Sequence, residues 1–165
     1  MYDTDAAIAP ISLSKATQPQ RHIYVGHNLS HRDFSGQDLR GADFRNTILK
    51  GVSFAGANLE GANFSSAYLD GADFSQATLT RATFRLAYLA GATFKQAKLA
   101  ATVFKCACLI SADFHQADLI GADFAYADLN TALIDADALS DCWLSRTTLP
   151  NGTMAPAAWM VPQAS

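Results

Sequence analysis

The chain has 165 residues, of which half are hydrophobic and 16% are charged, and its formal net charge is −3. This composition is too apolar for an intrinsically disordered chain and fits one globular domain. No apolar stretch reaches the ~18 residues of a membrane-spanning helix, and the balance of charges provides no basic excess for binding nucleic acid.

The first 21 residues contain Pro10 and Pro19 and show no periodicity, so we expect an irregular N-terminal arm over residues 1–21. They also lack the basic start and hydrophobic segment of a secretory signal. The three cysteines are too few for a disulfide framework and fit a reducing compartment. We therefore predict a cytoplasmic protein without a membrane-inserted segment.

An apolar residue recurs every five positions from Leu29 to Leu149. Leu occupies every second position of this series, and Ala stands two residues before most of its members. The ten Phe of the chain lie between the Leu at ten-residue spacing, and we predict that they form the core: Phe34, Phe44, Phe54, Phe64, Phe74, Phe84, Phe94, Phe104, Phe114 and Phe124.

A period of five fits neither a plain helix nor a plain strand. Each step would rotate ~140° around a helix, and alternate members would point to opposite faces of a strand. The pattern works if the chain turns a corner every five residues and winds a coil around a filled interior. A coil of twenty residues stacks Phe on Phe and Leu on Leu, and it also aligns Gln76, Gln96 and Gln116 on the outside.

The repeated segments resemble the pentapeptide-repeat motif, as in Ala-Asp-Phe-Ser-Gln at 72–76 and Ala-Asn-Leu-Glu-Gly at 57–61. The resemblance covers about residues 22–150. It implies an all-β fold, a right-handed quadrilateral parallel β-helix of about six coils with four pentapeptides each, with type II or type IV turns at its corners.

The last residues, 151–165, are predicted to form a short C-terminal cap. An open solenoid end exposes apolar side chains and unpaired backbone groups, so something must cover it. We expect Met154, Trp159 and Met160 to cover the last coil, with a separate recognition tail as the alternative.

The sequence offers no convincing catalytic, cofactor or metal site. His22 and His27 are expected to face the interior and His31 a corner, so we interpret these three as capping residues rather than metal ligands. Cys106 and Cys108 form a lone Cys-x-Cys without the further ligands that a tetrahedral metal site requires. A rod filled with side chains leaves no room for a cleft, so we predict neither an enzyme nor a small-molecule substrate.

The outward positions predict a contiguous apolar strip on one side and corner of the rod. Such a strip with Tyr in it is typical of an interface, so we expect it to bind another protein or a second copy of the chain. The alternative is that the N-terminal arm or a neighbouring copy covers it. The apolar strip consists of Ile48, Tyr68, Leu86, Tyr88, Cys108, Ile110 and Tyr126.

Beside the strip, Arg45, Arg85 and Lys105 form a basic column, which is too sparse for us to expect nucleic acid as a partner. The family resemblance implies a scaffold or interaction role, with a cyanobacterial photosynthetic assembly as a further possibility. It also implies an alternative, a DNA mimic that binds or protects a topoisomerase such as gyrase. A mimic requires negative charge along the rod, but residues 74–111 contain no Asp or Glu.

Overall fold

The computed structural model describes residues 22–157, so the predicted arm and the tail from residue 158 onward lie outside the described residues. The chain forms a parallel β-helix. Bridges join residues twenty positions apart, from Ile23 with Asp43 to Asp128 with Thr148. At twenty residues per turn, residues 22–141 make about six turns, and each turn has four short sides.

Each side is so short that it contributes a single bridge residue to the ladder. The amide of Phe54 donates to the carbonyl of Asp73 in the next turn at 2.7 Å, and the amide of Asp73 donates to the carbonyl of Val52 at 2.9 Å. The four sides therefore form four narrow parallel sheets along the rod. We number the sides by a buried residue that each contains: Phe34 lies on the first side, Leu39 on the second, Phe44 on the third and Leu49 on the fourth.

The corners are tight turns with one residue at positive φ. Gly56 has φ 66°, and the amide of Ala57 donates back to the carbonyl of Phe54 at 3.0 Å. This is the geometry of a type II turn, in which Gly is favoured at the third position. Several corners carry other residues in the same conformation, including Leu86 at φ 58° and Cys106 at φ 59°.

The interior contains two columns of stacked Phe rings, which meet edge to face. Phe84 stacks on Phe64 with ring centroids 4.8 Å apart and on Phe104 at 5.0 Å. It meets Phe74 edge-on at 5.5 Å. The Phe residues predicted as the core are all buried, and the Leu and Ala of the same sides complete the interior. The alternation of Phe and Leu thus produces two aromatic and two aliphatic columns.

Thr replaces Ala at three interior positions and remains fully buried. In each case the hydroxyl donates to a carbonyl of the preceding turn: Thr47 to Tyr24 at 2.9 Å, Thr102 to Leu79 at 2.9 Å, and Thr147 to Phe124 at 2.7 Å. The interior therefore accepts a small polar group where a carbonyl lone pair is within reach.

The ladder is interrupted near its C-terminal end by a 3₁₀ helix at Ala136–Leu139, which replaces one side of the sixth turn. Asp137 stands where the repeat places a buried Ala, and its carboxylate is exposed on this helix. A charged group is costly to bury, so the chain bulges outward here. The parallel ladder resumes where Asp123 bridges Trp143.

The end of the rod differs from the sequence prediction. Met154 is 68% exposed, so the expectation that it covers the last coil is wrong, and Ala155 is buried instead. The chain turns back after Leu149 so that Met154 makes an antiparallel bridge with Thr148. The amide of Ala155 donates to the carbonyl of Thr147 at 2.8 Å, which places the small residue inward and the large one outward. Trp159 and Met160 lie outside the described residues.

The first turn also differs from expectation. His27 was predicted to face the interior, but it is exposed, because among the described residues this turn is stacked on one side only. His31 lies at a corner, as expected, with φ 60°. Its ring lies over Gly51, where an added β-carbon would come within 2.9 Å of His31 Nδ1. Across residues 22–157, no helix has the length and apolar character that a membrane span requires.

Candidate protein-interaction surface

The outward column of the fourth side carries the largest aromatic part of the apolar strip. Ile48, Tyr68, Tyr88 and Cys108 follow one another in the ladder, one residue from each turn. The rings of Tyr68 and Tyr88 stack in parallel with centroids 5.0 Å apart, and their residues are 42% and 49% exposed. Each ring protects one face of the other, while the outer edges remain available to a partner.

The neighbouring corner extends this surface sideways. Leu86, Cys106 and Tyr126 occupy equivalent corner positions in three successive turns, and all three are exposed. Leu86 is 55% exposed although it is a large aliphatic residue. A shallow groove of about 320 Å³ runs between the corner and the Tyr column. Its lining includes Tyr68, Leu86, Tyr88, Cys106 and Cys108.

The far edge of the strip is Ile110, one column beyond Cys108 on the same side, and its side chain is exposed. Asp70 and Lys50 lie two and three turns below in this column, and Lys50 Nζ is 3.9 Å from a carboxylate oxygen of Asp70. The structure therefore brings together six of the seven strip residues around turns two to five. Tyr126 extends the strip into the sixth turn.

The basic column lies on the third side, directly before the corner, and its three members differ. Arg45 is compensated, because its guanidinium binds both carboxylate oxygens of Asp43, with the shortest contact at 2.7 Å. This hydrogen bonding lowers the pKa of Asp43 below its usual value. Within residues 22–157, Arg85 and Lys105 make no ion pair, and Lys105 Nζ lies 6.0 Å from the ring centroid of Tyr126.

Sequence reasoning missed two groups of surface residues. Asn46 and Ser66 line the polar end of the groove in the same corner column as Leu86, so the twenty-residue period contained the signal that places them there. Ile23, Ile120, Leu133 and Trp143 are exposed apolar residues outside the strip. Isolated residues of this kind are ordinary on protein surfaces.

The candidate ligands for a metal do not converge. In the described part of the chain, no group of three or more His, Cys, Asp or Glu side chains is placed to hold a metal ion. Cys106 and Cys108 line the groove as free thiols. His115 instead pairs with Asp113, with 2.7 Å between Nδ1 and the carboxylate, and Lys95 Nζ approaches the same carboxylate at 3.0 Å.

Burial distinguishes Cys142 from the two surface cysteines. It occupies an interior Ala position, and burial raises the pKa of its thiol to about 12. The reactive thiolate is therefore absent at ordinary pH. Between pH 7 and 9, we expect a thiol-specific reagent such as DTNB to react with Cys106 and Cys108 of the native protein. Cys142 should react only after denaturation. Rapid labelling of Cys142 in the native protein would contradict its placement in the interior.

The parallel ladder of twenty-residue turns, closed around Phe, Leu and Ala, defines a quadrilateral β-helix with flat outer faces and a filled interior. A family model described as pentapeptide repeats, with 8 copies, matches residues 28–65, 67–105 and 97–134. The chain belongs to the pentapeptide repeat family.

Three solved structures are similar to this chain. A pentapeptide repeat protein from the Arabidopsis thaliana thylakoid lumen is 31% identical, with 78% of this chain and 84% of that chain covered and a TM-score of 0.48. Rfr23 from the cyanobacterium Cyanothece 51142 is 17% identical, with 73% and 90% covered and a TM-score of 0.58. A trypsin-treated variant of QnrB1, a plasmid-mediated fluoroquinolone resistance protein, is 20% identical, with 77% and 64% covered and a TM-score of 0.62. No curated protein matches the sequence significantly.

Proposed function

We propose that this protein is a non-catalytic interaction module, which binds another protein through the apolar strip on the fourth side and its adjoining corner. The observation that carries the proposal is the exposure, side by side, of the stacked Tyr68 and Tyr88 rings and of Leu86. Scattered apolar residues are normal on a protein surface, but a contiguous set that contains Tyr resembles the buried centre of a protein interface.

The shape of the rod supports a protein partner more than a small ligand. Ligand sites are usually concave and enclose most of the ligand, whereas the groove beside Leu86 is shallow and open. The ladder holds each strip residue at a fixed height, so a partner meets a preorganised surface with little entropy left to lose. The protein would therefore act as a rigid scaffold for its partner.

The charge distribution favours this proposal over the alternative of a DNA mimic. Residues 74–111 contain five Lys or Arg and no Asp or Glu, whereas residues 112–141 contain seven Asp and no Lys or Arg. DNA carries negative charge along its whole length, which a mimic must reproduce. The basic middle of the rod therefore argues against topoisomerase protection. An association with a cyanobacterial photosynthetic assembly stays a prediction.

The test is the double substitution Tyr68→Lys/Tyr88→Lys. Each Lys keeps a long, soluble side chain at an exposed position, so the fold should survive, while the aromatic contact is lost. Proteins captured from the native host on the immobilised chain are quantified by mass spectrometry, and those that bind the strip should fall about tenfold or more. Light scattering of the purified chain, 17.6 kDa, reports self-association in parallel.

The matched control is Gln76→Lys/Gln96→Lys, which adds the same charge to the ladder between the first and second sides. This pair should leave capture unchanged. If the Tyr variant captures the same proteins in the same amounts as the parent chain and keeps the same solution mass, the strip is not a binding surface and the proposal fails.

A further inference from the structure

We propose that the strip takes an acidic partner: an extended protein segment whose apolar side chains lie on the Tyr column and whose carboxylates reach Arg85 and Lys105. This inference rests on the proposed function and adds the chemistry of the partner. It depends on two cations that make no ion pair within residues 22–157, next to an apolar surface, in the segment 74–111, which is free of acidic residues.

The two cations lie in successive turns beside the apolar strip. Arg85 directly precedes Leu86 at the corner, and Lys105 occupies the equivalent position one turn further, about 4.8 Å along the rod. Their charges therefore run along the edge of the apolar strip. Of the other three cations of the basic middle, Lys95 pairs with Asp113, Arg81 Nη1 lies 3.9 Å from Glu60, and Lys98 lies on the second side, away from the strip.

The nearest acidic groups do not neutralise this edge. Asp43 is held by Arg45, and Asp70 is paired with Lys50. Asp123 stands to Lys105 as Asp113 stands to Lys95, but Lys105 makes no ion pair with it, and the side chain of Lys105 lies near the Tyr126 ring instead. A carboxylate brought by a partner would meet two cations within one Debye length, which is about 8 Å at physiological salt.

A symmetric pair of chains does not supply these carboxylates. If the two-fold axis is perpendicular to the rods, each column faces the same column of the other copy, so the two basic columns oppose each other. If the axis runs along the rods, Arg85 faces Ala90 and Lys105 faces Ile110 of the other copy, and the carboxylate of that column, Asp70, is already paired with Lys50. Both arrangements leave Lys105 without a carboxylate opposite it, which is costly at an interface.

Nucleic acid fits the edge poorly as well. Its phosphates could pair with Arg85 and Lys105, but two cations give little of the affinity that depends on neutralising many phosphates. It would also leave the aliphatic Leu86 and Ile110 without an apolar contact. A protein segment satisfies both halves of the surface at once.

The size of the surface determines the length of the segment. The strip runs from Ile48 in the second turn to Tyr126 in the sixth, which is about 19 Å at ~4.8 Å per turn. An extended chain covers this distance with about six residues, at ~3.3 Å each. Alternating side chains of such a segment can meet the Tyr column on one edge and the basic column on the other.

The experiment uses a displayed library of random dodecapeptides selected on the intact chain, with peptides that bind Tyr68→Ala/Tyr88→Ala removed. The proposal expects the enriched peptides to combine Asp or Glu with aromatic or aliphatic residues. Enrichment of basic peptides, or of apolar peptides without acidic residues, would overturn it. In both cases binding still depends on the strip, so the proposed function stands while the inference fails.

Charge reversal provides the second arm. Arg85→Glu/Lys105→Glu should weaken a selected acidic peptide about tenfold in fluorescence anisotropy, since two attractions become repulsions. Lys95→Glu/Lys98→Glu makes the same change in net charge on the first and second sides and should have little effect. Equal weakening by both pairs would show a general field effect and overturn the edge contact. If no peptide depends on Tyr68 and Tyr88, the proposed function fails together with the inference.

Discussion

Replacing Phe84 with Ala should lower the free energy of unfolding by about 3–5 kcal/mol, the range seen when a large buried aromatic residue is truncated. Phe84 is fully buried in the middle of the rod and contacts rings above, below and beside it. The ladder holds the surrounding backbone in place, so the structure cannot collapse into the cavity. Urea unfolding followed by circular dichroism measures the loss.

The matched control is Leu86→Ala, two residues away at an exposed corner. Its effect on stability should stay within about 0.5 kcal/mol, because little apolar surface is removed from the interior. The two variants also separate stability from binding, since Leu86 belongs to the strip and Phe84 does not. A loss below about 1 kcal/mol for Phe84→Ala would contradict the tight stacking of the two aromatic columns.

Replacing Ala82 with Leu should lower the free energy of unfolding by about 1–3 kcal/mol or more, because it overpacks the interior. Ala82 is fully buried, and its amide donates to the carbonyl of Leu79 at 2.9 Å within a tight turn. The neighbouring turns lie only ~4.8 Å above and below, so a larger side chain must displace the backbone or a stacked ring. Thermal unfolding and urea titration both report the effect.

At the same position, Ala82→Thr should cost less than about 1 kcal/mol, because its hydroxyl can donate to a carbonyl of the preceding turn. Thr47, Thr102 and Thr147 make this bond at equivalent positions. The pair therefore tests whether volume or polarity limits the interior. If Thr proved as damaging as Leu, polarity would be the limit, and the three native Thr residues would need another explanation.

The sequence predicts the fold well because each residue's environment repeats every twenty positions. The alternation of Phe and Leu indicates which side chains stack, and the predicted Gln column is present, with Gln76 Nε2 donating to Gln96 Oε1 at 3.1 Å and Gln96 Nε2 to Gln116 Oε1 at 2.8 Å. The contact of Tyr68 with Tyr88 follows from the same period. Contacts between successive turns are local in a solenoid, so a sequence pattern is sufficient to place them.

The surface could be predicted only in part. The period places Arg45, Arg85 and Lys105 in one column, but it does not indicate that Arg45 is held by Asp43 while the other two make no ion pair within residues 22–157. That difference depends on rotamers and on which residue stands two positions before each cation: Asp43 before Arg45, but Thr83 before Arg85 and Val103 before Lys105. The charge that matters for a partner is therefore smaller than the count of basic residues suggests.

By itself, the sequence determined the coiled architecture, the twenty-residue turn and the identity of the buried side chains, because five-residue spacing of apolar groups is compatible with few other folds. The tertiary structure decided what happens where the repeat fails. Asp137 cannot enter the interior, so a 3₁₀ helix replaces one side, and the chain reverses after Leu149 to bury Ala155 and expose Met154. At these positions the outcome depends on the cost of burying a charged group and on the backbone bonds made after the reversal, such as that of Ala155 with Thr147, which no period specifies.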